Sequence, residues 1–249
     1  MDILEEVHDF CSKAGLQYFL SGGTLVGAIR HAGYIPWDDD IDIAMPRPDF
    51  NRFMAEFTCV HLQVRRCGNR SGVLPFIQIC DNRTALRFAG ETYTGKIWID
   101  VFPLDGLPRN KFFRLLYRKF HQFLLGIIQA KPTPWRHFIC NGYWRRHVIE
   151  KLVACCFSQS ALGKIRNKYI QMCDYSRATS IAMLSEMSNS HFECPKEWFS
   201  STIKVPFEGR EFNVPVGYDA WLRQRWGDYM TPPPENMRYS HMISDAYWK

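Results

Sequence analysis

The chain is expected to fold as a mixed α/β (α+β) protein, a mixed sheet with flanking helices that carries an inserted helical lobe. Three observations predict this. Short apolar runs of strand type alternate with segments of helical spacing up to residue 107. One acidic run, Asp40-Ile41-Asp42-Ile43, shows the two-residue period of a strand. After residue 107 the texture changes to two long helical patterns, apolar on one side and basic on the other. With 249 residues, 46% of them apolar, the chain can bury one core and an added lobe.

Residues 2–14 carry Ile3, Val7, Phe10, Cys11 and Ala14 at helical spacing, and Gly15 ends that helix. Tyr18-Phe19-Leu20 is a short strand, and Ser21-Gly22-Gly23 turns the chain. Thr24 to Arg30 is the next helix, closed by Gly33. Residues 40–45 form the acidic strand, which stops at Pro46. Pro48 opens a helix with Phe50, Phe53, Met54 and Phe57 on one side. Residues 62–67 and 76–80 read as strands. The run Lys96 to Phe102 is β-rich with Asp100 inside it, and Pro103 and the Asp105-Gly106 pair are expected to end it in a turn.

Residues 110–130 and 143–157 read as helices, separated by Lys131-Pro132-Thr133-Pro134. The tail holds small strands near 203–214, a helix at 217–226 and the run Pro232-Pro233-Pro234. The organisation expected is a core over 1–107, a basic helical lobe over 108–170, and a segment over 171–249 that packs on the core and completes its site.

Net charge is +6, but between Arg109 and Lys151 ten Lys/Arg stand against one acid, Glu150. That segment is +9, so the rest of the chain is −3. Basic blocks attract nucleic acid, anionic lipid or phosphorylated substrates, or form a solvated helix face. The lobe lacks a nucleic-acid-binding motif, which argues against nucleic acid. Nine cysteines, without a Cys-x-x-Cys pair, argue for reduced, buried thiols in a cytoplasmic protein and against a zinc site. Met1-Asp2-Ile3-Leu4-Glu5-Glu6 does not resemble a secretory signal, and the longest apolar stretches, such as Phe123 to Ile128, are too short to span a bilayer.

The chemistry concentrates in three places. If Ile41 and Ile43 face a core, Asp40 and Asp42 project together on the opposite face, about 7 Å apart along the strand. Such a pair can bracket divalent cations, for which carboxylate oxygens are the ligands of choice. Asp100, alone in an apolar strand, is costly to bury unless something compensates its charge. The Gly22-Gly23 turn leads into a helix N-terminus whose free N–H groups suit a phosphate oxygen; Ser21 adds a hydroxyl. Arg30 and His31 add positive charge nearby, and equally suit the dipole at a helix C-terminus. Trp37, Tyr93, Trp98, Trp226, Tyr229 and Trp248 are candidates for a cation–π cage, although most aromatics of such a chain are core.

The order strand, Gly-Gly turn, helix, Asp-x-Asp strand, later strand with a lone Asp resembles the nucleotidyltransferase superfold. Three blocks narrow the resemblance: Ser21 to His31, Gly33 to Ile43 and Trp98 to Gly106 are similar to the LicD family, to which fukutin-related protein also belongs. Tyr229-Met-Thr-Pro-Pro-Pro-Glu235, His241 and Tyr247-Trp248-Lys249 are similar to that family too. The spacer from Gly23 to Asp40 is longer than in most of the superfold but suits this branch, and residues 108–170 match no motif.

The resemblance implies a phosphotransferase. Such proteins move phosphocholine, or another phospho-alcohol such as ribitol phosphate, from a CDP-linked donor to a sugar of lipopolysaccharide or teichoic acid. It implies Asp40, Asp42 and Asp100 as holders of Mg²⁺ or Mn²⁺. Ser21, Gly22, Gly23, Arg30, His31 and His241 are implied as donor contacts. The partners implied are a CDP-alcohol and a lipid-linked or oligosaccharide acceptor, with action at the cytoplasmic side and peripheral membrane contact through 109–151. Two other readings use the same residues: a nucleotidyltransferase that draws on ATP, and a non-catalytic binding module. Three retained acids speak against the last.

Overall fold

The computed structural model describes residues 1–66, 75–88, 94–132, 144–185, 193–238 and 243–248. The chain divides into two units. The first comprises Met1–Arg65, Phe76–Leu104 and Cys194–Lys249; the second comprises Arg66–Pro75 and Asp105–Glu193.

The first unit opens with helix α1 (Asp2–Ala14), whose Ile3, Leu4, Val7 and Cys11 are buried. Gly15 caps it at φ 66°, a left-handed conformation that glycine adopts without a Cβ penalty. Strand β1 (Phe19–Leu20), helix α2 (Gly22–His31), strand β2 (Asp42–Pro46) and helix α3 (Arg47–Glu56) follow. Then come β3 (Leu62–Arg66), β4 (Ile77–Asp81), β5 (Thr84–Phe88), β6 (Thr94–Gly95) and β7 (Trp98–Gly106). The main sheet runs β1-β2-β7-β4-β3. It is mixed: β2 and β7 are parallel, while β1–β2 and β4–β7 are antiparallel. Its core joins Ile43, Met45, Ile77, Ile79, Ile99 and Val101 to Leu4, Val7 and Phe53. The expected mixed sheet with flanking helices is the fold observed.

Three expectations are corrected. First, the acidic strand starts at Asp42, so Asp40 sits in the irregular segment before it rather than in strand register. Second, helix α2 ends in Ala32, not Gly33: Ala32 takes φ 52° and its N–H donates to Gly27 O. The tip of the hairpin formed by strands Thr202–Phe207 and Arg210–Pro215 holds this end, Glu208 N–H donating to Ala32 O and Tyr34 N–H to Glu208 Oε1. A side chain at Gly33 would overlap the Glu208 carboxylate, so this glycine serves close approach and not a cap.

Third, β7 does not stop at Pro103 but runs to Gly106. Asp100 N–H points toward β2, donating to Ile41 O. Alternation therefore turns the Pro103 nitrogen toward the β4 side, beyond Val101, which pairs with the first residue of β4. A missing N–H costs nothing there. Asp105-Gly106 is strand, not turn, paired with Ala182 and Ile181. A Cβ at Gly106 would press on Tyr175 Cα and Ala178 Cβ, at 3.0 and 3.1 Å, so the glycine allows this close approach.

In the second unit helix α4 (Lys111–Ala130) is capped by Asn110, which accepts from the N–H groups of Phe112 and Phe113. It packs with helices Trp144–Cys156 and Gln159–Ile170 around Leu124, Ile127, Ile128, Ala154 and Leu162. Arg166 is fully buried, and its Nη2 donates to Leu184 O (2.8 Å) and Ser185 O (3.2 Å). Burial pulls the Arg166 guanidinium down to about 10.

Strand β5 and a C-terminal strand, Ile243–Trp248, neither foreseen in the sequence, pair antiparallel. The β4–β5 turn is fixed by Asp81, which accepts from the Arg83 guanidinium (2.7–3.2 Å) and from Arg83 N–H. That pairing holds the Asp81 carboxyl below the usual carboxylate range, although burial opposes it. A depressed folded-state value contributes stability above the unfolded value, and this is lost as pH falls through the folded one. Urea unfolding between pH 6 and pH 2.5 should therefore show the native chain losing stability more steeply than Asp81→Asn; parallel curves would exclude Asp81 as an acid-labile support.

Candidate active site

Asp42 and Asp100 are register partners in the parallel pair β2–β7, so their side chains leave the same face of adjacent strands. Asp40 joins them from the preceding loop. One carboxylate oxygen from each of Asp40, Asp42 and Asp100 lies within 4.8 Å of the others. All three residues are half-buried. Full negative charges at this spacing repel by about 3 kcal/mol per pair at an effective dielectric of about 20. A set of hard oxygen donors this close suits divalent cations such as Mg²⁺ or Mn²⁺.

Local structure holds the cluster in place. Thr24 Oγ1 accepts from Asp42 N–H (2.9 Å), and Ser21 N–H donates to Asp42 O (2.9 Å). Trp98 Nε1–H donates to Asp100 Oδ2 at 3.2 Å. The glycine turn lies directly against the acids. Gly22 has φ 56°, and a Cβ there would overlap Asp42 Oδ2; a Cβ on Gly23 would overlap Asp38 Oδ2. Gly22 excludes a side chain on two counts, while one at Gly23 would require the Asp38 carboxylate to turn away. Ser21 precedes the helix as a buried N-cap residue in extended conformation; its side chain does not cap the helix.

Arg30 and His31 occupy the last turn of α2. Arg30 Nε–H donates to His31 Nε2 (2.9 Å), which requires that nitrogen to be unprotonated. Burial and the neighbouring Arg30 both lower the His31 value, in agreement. Arg30 Nη1 donates to Tyr229 O (2.9 Å), and Arg30 lines a cavity of about 390 Å³ that Gly23, Trp37, Trp226 and Tyr229 also line. The structure therefore brings Ser21, Gly22, Gly23, Asp40, Asp42 and Asp100 together, with Arg30 reached through the cavity and His31 exposed behind it. His241 and Tyr93 lie outside the described residues.

Sequence reasoning missed Thr24, Asp38 and the Trp98–Asp100 hydrogen bond. Thr24 follows the Gly-Gly turn, where a hydroxyl residue is an ordinary helix opener, so only its contact with Asp42 marks it. Asp38 shares the two-residue spacing of Asp40 and Asp42 but lay before the strand expected over 40–45. A further group, Glu6, Cys59 and His61, also has ligand-type atoms within 4.8 Å of one another, an arrangement that cysteine spacing gave no sign of.

Comparison with known proteins follows the same lines. Residues 15–123 match the family described as LicD/FKTN/FKRP, nucleotidyltransferase domain. The "Lipopolysaccharide cholinephosphotransferase LicD" of Haemophilus influenzae is 34% identical over 258 aligned positions, covering 99% of this chain and 94% of that protein. An uncharacterized protein of Rickettsia typhi is 30% identical over 121 positions, 47% of this chain and 38% of that one. The human "Ribitol 5-phosphate transferase FKRP" shares 53% identity over 32 positions, 13% of this chain and 6% of that protein. The chain belongs to the LicD family of nucleotidyltransferase-fold phosphotransferases.

Proposed function

We propose that this protein transfers phosphocholine from a CDP-linked donor to a sugar hydroxyl of a cell-surface glycan such as lipopolysaccharide. The observation that carries the reading is the approach of the Asp40, Asp42 and Asp100 carboxylates to within 4.8 Å beside the Gly22-Gly23 turn. The full-length likeness to a lipopolysaccharide cholinephosphotransferase supports the choice of phospho-alcohol and acceptor.

In this reading Asp40, Asp42 and Asp100 hold Mg²⁺ or Mn²⁺, which when bound supplies charge neutralisation for the donor diphosphate and its transition state. The backbone N–H groups at Gly22 and Gly23 orient phosphate oxygens at the start of α2. The acceptor hydroxyl attacks the phosphorus that bears choline. A new P–O bond forms as the bond to the bridging oxygen breaks, CMP departs with that electron pair, and the hydroxyl proton passes to Asp100 and on to solvent.

The second unit supports a place at a membrane surface. No helix among the described residues is long and apolar enough to cross a membrane. On α4, however, Phe112, Phe113, Leu115, Leu116 and Phe120 are exposed beside Lys111, Arg118 and Lys119. Apolar side chains among basic ones suit the headgroup layer of anionic lipid. In this reading the lobe docks at the cytoplasmic face, where a lipid-linked acceptor is displayed.

Asp42→Asn should leave a folded protein whose transfer from CDP-choline falls by several orders of magnitude, read as CMP release at saturating Mg²⁺; undiminished turnover would remove Asp42 from the chemistry. Gly22→Ala must adopt a left-handed backbone and displace Asp42, costing about 1–2 kcal/mol for the backbone alone. For a chain of this size that lowers Tm by roughly 2–8 °C, and activity should fall with it. Co-sedimentation with phosphatidylglycerol vesicles should exceed that with phosphatidylcholine vesicles and weaken for Phe112→Ser/Phe113→Ser; equal partitioning would leave the helix face merely solvated.

A further inference from the structure

A second cavity shares Asp40 with the carboxylate cluster. It measures about 150 Å³, and its walls include the rings of Tyr34, Trp98 and Trp248 and the carboxylates of Asp39, Asp40 and Asp81. Four isoleucines form much of the rest, together with Met1, Asp2 and Thr84, and among the described residues neither lysine nor arginine lines it. The Arg83 guanidinium lies over the Trp248 ring at 5.0 Å, but its charge is met by Asp81 in a two-pronged pair. Arg83 thus steadies the Trp248 ring as a wall and pairs with Asp81, while Asp2, Asp39 and Asp40 also line the cavity.

Aromatic faces with several carboxylates and an apolar floor have one natural occupant, a compact organic cation. A quaternary ammonium cannot donate hydrogen bonds and sheds water at small cost, so ring faces and diffuse negative charge suit it better than ion pairing does. The larger cavity has the opposite character. There Arg238 and Arg30 sit over the Trp37 ring, at 4.4 and 5.9 Å. Arg30 itself lines that cavity, whereas Arg83 is not among the residues lining the smaller one, so the larger cavity suits anionic or neutral parts of a substrate.

We propose that the cavity walled by Tyr34, Trp98 and Trp248 is the site for the trimethylammonium head of the donor, and that it selects choline over neutral alcohols. The proposal rests on the reading of this protein as a phosphocholine transferase and adds to it the place and physical basis of donor choice. The arrangement fits the chemistry of choline phosphate, in which only a two-carbon arm separates the ammonium from the phosphate ester. Asp40 borders both sites, so a head group in the cavity leaves its phosphate beside the acidic cluster. A ribityl group, neutral and hydroxylated, would leave the ring faces without a cation.

The test uses the full chain with two pairs of probes: choline against its neutral carbon isostere 3,3-dimethylbutan-1-ol, and CDP-choline against the CDP ester of that alcohol. Tryptophan fluorescence should report choline binding at least about tenfold tighter than the isostere, the scale of one or two cation–π contacts. The ratio of kcat/KM for the two donors should favour CDP-choline by a similar factor. Trp248→Ala should bring both ratios toward one, Trp248→Phe should retain most of each, and Trp226→Ala in the larger cavity should leave both in place. Equal use of the two donors by the native chain would overturn the cation site while phosphocholine transfer stood. Choline binding that depends on Trp248 without any CMP release would uphold the cation site and overturn the transferase reading. A preference for choline untouched by Trp248→Ala, in a variant with native thermal unfolding, would also overturn the proposal.

Discussion

The parallel pairing of β2 with β7 sets two aspartates side by side, Asp42 opposite Asp100, and the rest of the first unit is arranged around that pair. Like charges on adjacent strands oppose folding unless a cation or strong donors compensate them. The chain nevertheless adds a third carboxylate from the loop before β2. It then brings a helix N-terminus, with its positive dipole end, against the same acids. This explains why Gly22 carries no side chain: its backbone is left-handed and the space a Cβ would fill belongs to Asp42. It also explains the placement of Thr24 and Trp98, whose hydrogen bonds fix the backbone of one acid and the carboxylate of the other.

Two cavities adjoin this acidic centre and differ in charge. One shares Gly23 with the glycine turn and carries Arg30 close to Arg238 and Trp37; the other shares Asp40 and is walled by carboxylates and rings. Burial and the proximity of Arg238 both disfavour the Arg30 charge, so a ligand that brought negative charge would relieve that cost. The opposed polarity suits a substrate that is anionic or neutral at one end and cationic at the other. The second unit stands apart in its physics: its own apolar core, a buried arginine bonded to backbone carbonyls, and an exposed face mixing phenylalanine with basic residues.

Much of this was legible in the order of residues. Periodicity located α1, α3 and the long helix of the second unit, because each buries one stripe, and Gly15 and Asn110 mark the end of the first and the start of the last. The Gly-Gly turn and the three aspartates were legible for a different reason. Charged residues inside β-rich runs and paired glycines before a helix contradict local propensity, and such contradictions mark sites. Other features misled. Pro103 and Asp105-Gly106 have the composition of a turn yet lie in a strand, because the place of β4 in the sheet leaves the Pro103 nitrogen without a partner to lose.

The sequence by itself determined which acids and glycines are present, the helices that present them and the family to which the chain belongs. The helices follow from interactions between near neighbours along the chain, and the family from the identities of the residues themselves. Only the tertiary structure decided that Asp40 reaches the cluster from a loop, that Trp98 serves Asp100, and that Tyr34, Trp98 and Trp248 share one cavity. Those outcomes depend on strand register and on the pairing of the last described strand with β5, across more than a hundred and fifty residues of intervening chain. Contacts of that span leave no periodic trace in either partner, since each side chain there is chosen for a neighbour that folding alone supplies.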